Sequence, residues 1–233
     1  MYLYFSPILI VCLVISLIAE IRVKSAFDRY SNVIASRGYT ASQVARLILD
    51  QNNLRHVRIE FIRGHLSDHF DPRQNVVRLS ESVYHSTSVA AIGVAAHECG
   101  HAIQYAEEYK PIVIRNAIVK STNICSRLSI LLILIGSLIS FAAAEFAPVA
   151  SLLITLGIIA FSATTFFQLI TLPVEFNASR RALQTISNNQ ILSPDEQIGA
   201  EKVLRAAAMT YVAALVVSLL QLLRLILIFR RRN

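Results

Sequence analysis

Long apolar segments constrain the fold of this sequence more than any other feature. Four stretches, at residues 4–19, 128–144, 149–172 and 206–229, are dominated by Leu, Ile, Val, Ala and Phe, and hydrophobic residues make up 55% of the chain against 16% charged residues. A helix of about 20 apolar residues spans the hydrocarbon core of a bilayer. The pattern therefore predicts a mainly α-helical, polytopic membrane protein with about four transmembrane helices.

The order of apolar and polar segments predicts five regions. No positive residue precedes the first apolar stretch, and Ile18-Ala19-Glu20 is a poor cleavage site, so this stretch is interpreted as a retained anchor and not as a signal peptide. The regions are an anchor at 1–20, a zinc-motif region at 21–127, a transmembrane helical hairpin at 128–172, a third-ligand helix at 173–205, and a last transmembrane helix with a basic tail at 206–233.

The distribution of basic residues predicts the orientation. Of the 22 Lys and Arg residues, 14 lie at 21–127 and 4 at 173–205. Loops rich in Lys and Arg usually stay in the cytoplasm, so we expect a multi-pass protein of the cell membrane whose two polar regions face the cytoplasm. The side of the basic tail is left open, because the last helix would carry it to the opposite face.

The same charges favour a lipid partner over a nucleic acid. The net charge is +7, but the basic residues are scattered through loops without interleaved aromatic residues. We therefore expect contact with the bilayer and no nucleic-acid binding. The three cysteines, Cys12, Cys99 and Cys125, have no spacing typical of disulfides or zinc knuckles and are interpreted as reduced.

The polar region at 21–127 has the patterns of a mixed α+β structure. Thr40 and Gln43 form a capping box that predicts a helix to about residue 50. Alternating apolar residues at 57–61 and 76–79 predict a short β-hairpin, whose edge could hold an extended peptide by backbone pairing. A further helix is predicted to begin at Ser86 or Ser88 and to run to about residue 108.

That last helix contains His97-Glu98-Cys99-Gly100-His101. Residues four apart lie on one face of a helix, so His97 and His101 are placed to bind one tetrahedral Zn2+ ion. Glu98 lies beside them, within reach of a water molecule activated by the ion, and is the candidate general base. The alternative, two ordinary polar histidines on a helix, is disfavoured because the rest of this helix is small and apolar.

A catalytic zinc site needs a third protein ligand, and Glu175 is the candidate. It follows Pro173 at what is predicted to be the start of a helix just after the third apolar stretch. The transmembrane hairpin would return this residue to the face that carries the two histidines. The alternative is a carboxylate that only stabilises a helix N-terminus.

Several segments resemble the YugP-type membrane zinc metallopeptidases over nearly the whole chain. The likeness is carried by residues 68–72, 77–80 and 93–104, by Pro173-Val174-Glu175-Phe176 and by residues 206–214. The resemblance implies a gluzincin-like, zincin-like region in which His97, His101 and Glu175 bind zinc. A more distant similarity is to the HtpX-type and prenyl-protein membrane proteases.

The distant relatives place an Asp four residues after the third ligand, where this chain has Ser179. That departure leaves the partners of the ligand imidazoles open, with Asn177 and Asp71 as candidates. His69 and His85 are alternative ligands or oxyanion stabilisers, each more often a solvated loop histidine. Arg180 and Arg181 are interpreted as contacts to lipid headgroups.

The leading functional hypothesis is a membrane-bound zinc endopeptidase that cleaves membrane or membrane-associated polypeptides. Two alternatives are weighed against it. One is a non-catalytic scaffold stabilised by zinc, which the intact Glu98 disfavours. The other is a true intramembrane protease, which the polar residues soon after His101 disfavour. Substrate, cleavage preference and oligomeric state are left open by the sequence.

Overall fold

The computed structural model describes residues 6–142 and 144–230 of the chain. Within them the protein is mainly helical, and it divides into two compact units of non-contiguous segments. The helices are α1 (Ser6–Ser31), α2 (Ala41–Gln51), α3 (Val89–Ala106), α4 (Lys110–Ala142), α5 (Ala147–Asn188) and α6 (Pro194–Arg230), and the strands are β1 (Arg58–Ile62), β2 (His69–Asp71) and β3 (Val76–Ser80).

The first unit is the apolar one, and its described residues are 6–18, 114–142, 144–172 and 211–230. Three helices of the described chain, α4, α5 and α6, are long and apolar enough to cross a membrane, and most of their apolar surface is exposed. A buried hydrogen bond of 2.6 Å between the hydroxyls of Thr165 and Ser218 links α5 to α6. The predicted membrane character is thus supported.

The predicted N-terminal span and the basic tail are only partly described. Residues 1–5 of the predicted anchor and residues 231–233 of the predicted basic tail lie outside the described residues. The helix α1 begins at Ser6 and continues well past the predicted end of the anchor, to Ser31. The number of four membrane crossings therefore stays a prediction.

The second unit comprises residues 19–113 and 173–210 and contains the sheet. The strand order is β1-β3-β2, with β1 parallel to β3 and β2 antiparallel to β3. The predicted hairpin between residues 57–61 and 76–79 is therefore wrong, since these two segments are the parallel pair. The connection between them is long enough to carry β2, which forms the actual hairpin with β3 and occupies one edge of the sheet.

The helix α3 lies at the centre of this unit. It packs against α2, β2 and β3, and its small apolar residues are almost completely buried in a common core with α2, the sheet and parts of α5 and α6. Helices with Ala and Gly on their surfaces approach their neighbours closely, because little side-chain volume separates the backbones. The zinc-motif segment is consequently held on several sides.

Capping residues set the starts of three helices, and those of α2 and α3 lie where the sequence predicted them. Thr40 and Gln43 form the reciprocal capping box of α2, and Ser88 accepts a hydrogen bond from Ala91 N at the start of α3. Ser193 and Glu196 exchange hydrogen bonds at the start of α6. Each cap satisfies backbone N–H groups that have no partner within the helix.

One predicted helix boundary is wrong. Pro173 does not start a helix but lies inside α5, which runs without interruption from Ala147 to Asn188. Proline removes one backbone hydrogen bond of a helix, but one such loss does not end a helix of 42 residues whose other bonds are kept. As a result, a single helix contributes both the third apolar stretch and Glu175.

Removal of the α2 cap should weaken the second unit. We expect Thr40→Ala to lower the free energy of unfolding by about 1 kcal/mol, because Gln43 N loses its acceptor. Thermal unfolding of the detergent-solubilised protein measures this change. Thr40→Ser keeps the hydroxyl and serves as the control; equal losses in both variants would contradict the capping explanation.

Candidate metal centre

Two imidazoles and one carboxylate converge in the second unit. His97 and His101 project from successive turns of α3, and Glu175 projects from α5. The Nε2 atoms of both histidines lie 3.4 Å from Oε2 of Glu175, and the Glu175 side chain is only 2% exposed. The three candidate ligands named from the sequence are therefore brought together.

The spacing of these atoms fits a single small ion. Ligand atoms at about 2.0–2.1 Å from a tetrahedral Zn2+ are separated from one another by about 3.3 Å, close to the observed separations of 3.4 Å. Among the described residues, these three form a group whose ligand atoms all lie within 4.8 Å of one another. Two neutral imidazoles and a carboxylate are also a typical ligand set of catalytic zinc.

The electrostatics of the site favour positive charge. Burial alone would lower the pKa of His101, but its hydrogen bond to Glu175 and the negative charges of Glu98 and Glu175 raise this pKa above its ordinary value. A proton and a metal ion compete for the same Nε2 lone pair of His101. Metal affinity should consequently fall as the pH is lowered.

Glu98 is oriented by the edge strand of the sheet. Its Oε2 accepts a hydrogen bond of 3.0 Å from the backbone N–H of Phe70 in β2. Phe70 pairs with Val77 of β3, and because this N–H is bonded to Glu98, Phe70 directs its backbone N–H and C=O away from β3, towards the open edge. The candidate base and the sheet edge are thus in direct contact.

Arg78 holds that edge strand in place. The side chain belongs to β3 and is mostly buried, and its guanidinium bonds Glu60 of β1 and Asp71 of β2, each at 3.2 Å. This pairing also accounts for Asp71, one of the candidate partners of the ligand imidazoles, because its carboxylate is directed to Arg78 and to Arg73 N. Asp71 is not bonded to either histidine.

The Nδ1 atoms of the two histidines have different partners. Nδ1 of His97 lies 3.2 Å from the hydroxyl of Ser179, the residue at the position where the distant relatives have Asp. Nδ1 of His101 lies 3.0 Å from Oε1 of Gln104. Ser179 was noted from the sequence only as a departure from the distant relatives, and Gln104 was not predicted, although a residue three positions after a ligand lies on the same helix face.

Other candidates from the sequence lie elsewhere. His69 is bonded to Ser67 O and lies near Arg78, while His85 packs against the rings of Phe61 and Tyr84; neither belongs to the converging group. The interpretation of Arg181 as a lipid contact is wrong, because its guanidinium bonds Asn177 at 2.7 Å and Glu107 at 2.7 Å.

Cys99 is not a ligand, although it lies between the two histidines in sequence. Its Sγ points towards α2, where it donates to Ala45 O at 3.6 Å. Complete burial raises the pKa of this thiol far above its ordinary value, which disfavours the thiolate needed for metal binding. The opposite face of α3 is therefore used for packing.

A glycine allows α3 to approach α5 closely enough to form the site. A Cβ atom at Gly100 would lie 2.7 Å from Ala178 O and 3.2 Å from Ala178 Cα. Such distances are well inside van der Waals contact, and the obstacle is backbone, which cannot rotate away. The absence of a side chain at position 100 thus permits Glu175 to reach the two histidines.

Comparison with known proteins agrees with the candidate metal site and with the apolar helices, which are typical of a membrane protein. A family model described as "Putative neutral zinc metallopeptidase" matches residues 5–230. The chain therefore belongs to this family, and the resemblance found in its sequence is confirmed.

A curated relative supports the same assignment. The "Putative membrane protease YugP" of Bacillus subtilis (strain 168) is 50% identical over 220 residues, which cover 94% of each chain. No solved structure was found that matches this chain. The geometry described above is therefore the basis for assigning roles to individual residues.

The close approach at Gly100 can be tested by adding one methyl group. We expect Gly100→Ala to lower the stability by about 1–3 kcal/mol through overpacking and to reduce zinc retention, because α5 must move away from α3. Thermal unfolding and the zinc content of purified protein measure the two effects.

The matched control is Gly93→Ala on the same helix. A Cβ atom at Gly93 has its nearest neighbour, the Ala200 Cβ, at 3.4 Å, which is ordinary contact. This variant should keep its zinc and its stability. Equal zinc retention in the two variants would show that the approach of α3 to α5 at Gly100 does not limit the metal site.

Proposed function

We propose that the protein is a membrane-bound, zinc-dependent endopeptidase in which His97, His101 and Glu175 bind the metal and Glu98 is the general base. The observation that carries the proposal is the convergence of the two Nε2 atoms on Oε2 of Glu175 at 3.4 Å, with the Glu98 carboxylate one residue from the first ligand. Family membership supports zinc as the metal and a polypeptide as the substrate.

The chemistry divides between the metal and the chain. When bound, zinc lowers the pKa of water and polarises a peptide carbonyl. Glu98 accepts the proton of the attacking water on its carboxylate and passes it to the departing amine. One carboxylate oxygen of Glu98 accepts a hydrogen bond from Phe70 N–H. This bond limits rotation of the carboxylate and so fixes the direction of its other oxygen.

The open edge of β2 is the proposed binding surface for the substrate backbone. The C=O of Phe70 lies on the same side of β2 as the N–H that binds Glu98, and an extended peptide that pairs with it would need no particular side chains of its own. The rings of Phe70 and Tyr105 lie 6.0 Å apart, and Tyr105 is substantially exposed. An apolar or aromatic substrate side chain would find a partner there.

The site is proposed to lie on the cytoplasmic side of a cell membrane. The support is the concentration of Lys and Arg in the sequence that forms the second unit. The helix α3 is buried in the core of that unit, packed on the sheet and on α2, which argues against cleavage within the bilayer. The substrates are accordingly proposed to be membrane proteins or segments released from them.

Replacement of the base should remove activity and spare the metal. We expect Glu98→Gln to lower the rate of peptide cleavage by about 10²–10⁴-fold, because the amide cannot take up the proton, while zinc content stays near one ion per chain. Cleavage of a labelled polypeptide library by purified protein in detergent gives the rate, and metal analysis gives the zinc content.

The control for this variant is Glu201→Gln, which replaces an exposed glutamate of α6. This control protein should cleave at the wild-type rate. Full cleavage by Glu98→Gln would overturn the proposed base. If His97→Ala unfolds the protein while Glu98→Gln leaves its cellular effect unchanged, the protein is a non-catalytic zinc scaffold.

Removal of the metal is an independent test. Incubation with 1,10-phenanthroline should abolish cleavage, and added Zn2+ should restore it, because water is then again activated at the site. The non-chelating isomer 1,7-phenanthroline controls for effects of the aromatic molecule itself. Cleavage that persists in protein shown by metal analysis to be zinc-free would rule out a zinc mechanism.

A further inference from the structure

A chain of buried polar groups extends behind His101. Gln104 is completely buried, and its Oε1 lies 3.0 Å from His101 Nδ1. Its Nε2 donates to Val174 O at 2.8 Å and to Asn177 Oδ1 at 2.9 Å. Arg181 Nε donates to the same Asn177 oxygen at 2.7 Å, and Arg181 also pairs with Glu107.

The donor and acceptor of each hydrogen bond in this network can be assigned by starting from Arg181, the group farthest from His101. A guanidinium only donates, so the atom of Asn177 that faces Arg181 is the oxygen. A backbone carbonyl only accepts, so the atom of Gln104 that faces both Val174 and this oxygen is the amide nitrogen. The two ends of the Gln104 amide are thereby assigned from two independent partners, without reference to the histidine.

The remaining amide atom, Oε1, faces His101. Because an amide oxygen only accepts, Nδ1 of His101 must carry a proton. In an imidazole with one proton, the lone pair is then on Nε2, and this is the nitrogen that faces Glu175 at 3.4 Å. The buried network therefore selects the form of His101 that can bind a metal through Nε2.

We propose that Gln104 is a positioning residue that fixes the proton of His101 on Nδ1 and the ring in its metal-binding orientation, with Asn177 and Arg181 fixing Gln104 in turn. This inference rests on the proposed zinc site and adds to it residues that the sequence pattern of two histidines and a glutamate does not contain. Partners of this kind orient ligand imidazoles and increase their basicity.

The other histidine lacks such a constraint. The partner of His97 Nδ1 is the Ser179 hydroxyl at 3.2 Å, which can donate or accept. Ser179 thus fits either form of the His97 ring, whereas Gln104 fits only one form of His101. The network therefore keeps the proton of His101 on Nδ1 even without a bound metal.

The effect of the network is measured with zinc affinity. The variants are Gln104→Leu, which keeps the approximate volume but removes the acceptor, and Asn177→Leu, which removes one of the two groups that orient the amide. Competition with a chromophoric zinc chelator gives the affinity. We expect a loss of about 10–100-fold in Gln104→Leu and a smaller loss in Asn177→Leu, where Val174 O still holds the amide.

A second readout reports the proton directly. In zinc-loaded wild-type protein with 15N-labelled histidine, the His101 ring should show a slowly exchanging Nδ1–H signal, because that proton is buried and bonded to Gln104. The signal should exchange faster or disappear in Gln104→Leu. Because looser packing also speeds this exchange, the same signal is measured in Thr40→Ala, which weakens the unit and should keep the slow exchange; this comparison separates positioning from a structural role.

The control is Thr40→Ala, which weakens the same unit through the α2 cap without contact to any proposed ligand. It should bind zinc like the wild type. Unchanged affinity in Gln104→Leu, or a zinc-loaded wild type in which His101 carries its proton on Nε2, would overturn the role of Gln104. A wild type that binds no zinc would instead refute the proposed function, so the two failures are distinguishable. If Gln104→Leu does not fold, Asn177→Leu and the wild-type signal decide.

Discussion

The buried carboxylate of Glu175 is the constraint on which the functional unit depends. A negative charge with almost no exposure to water is costly unless opposite charge or hydrogen-bond donors surround it. The proposed metal ion would supply the opposite charge, with two imidazoles on successive turns of α3 as its other ligands, and the missing side chain at Gly100 brings them within reach. The close contact of α3 with α5 at Gly100 therefore serves two purposes: it packs the core, and it brings the three candidate metal ligands together.

The parts of the fold that depend on neighbouring residues were predictable. The caps of α2 and α3, and the alignment of His97 with His101, follow from residues three or four apart in sequence, because one turn of helix fixes each of them. The membrane helices were predictable because about 20 successive apolar residues match the thickness of a bilayer and are too long for most core helices of a soluble fold.

The errors arose where distant segments decide the structure. The strand β1 pairs in parallel with β3. No turn residue specifies this pairing, which depends instead on the position of β2 at the other side of β3. Pro173 is a good helix-start signal in isolation, but α5 continues through it because the helix on both sides is held by its own bonds and by packing. Gln104 could have been found from its spacing to His101; its partners Val174 and Asn177, about 70 residues away, could not.

The hydrogen bond from the backbone of β2 to Glu98 affects which amino-acid substitutions the protein can accept at position 70 during evolution. The donor is the N–H of residue 70 and not a side chain, so every amino acid except proline supplies it. The ring at this position, which packs against the core and lies near Tyr105, can therefore be replaced by another apolar side chain while the Glu98 carboxylate keeps its hydrogen bond. In the proposed peptidase, the side chain that meets the substrate could thus change at position 70 without loss of the contact that orients the general base.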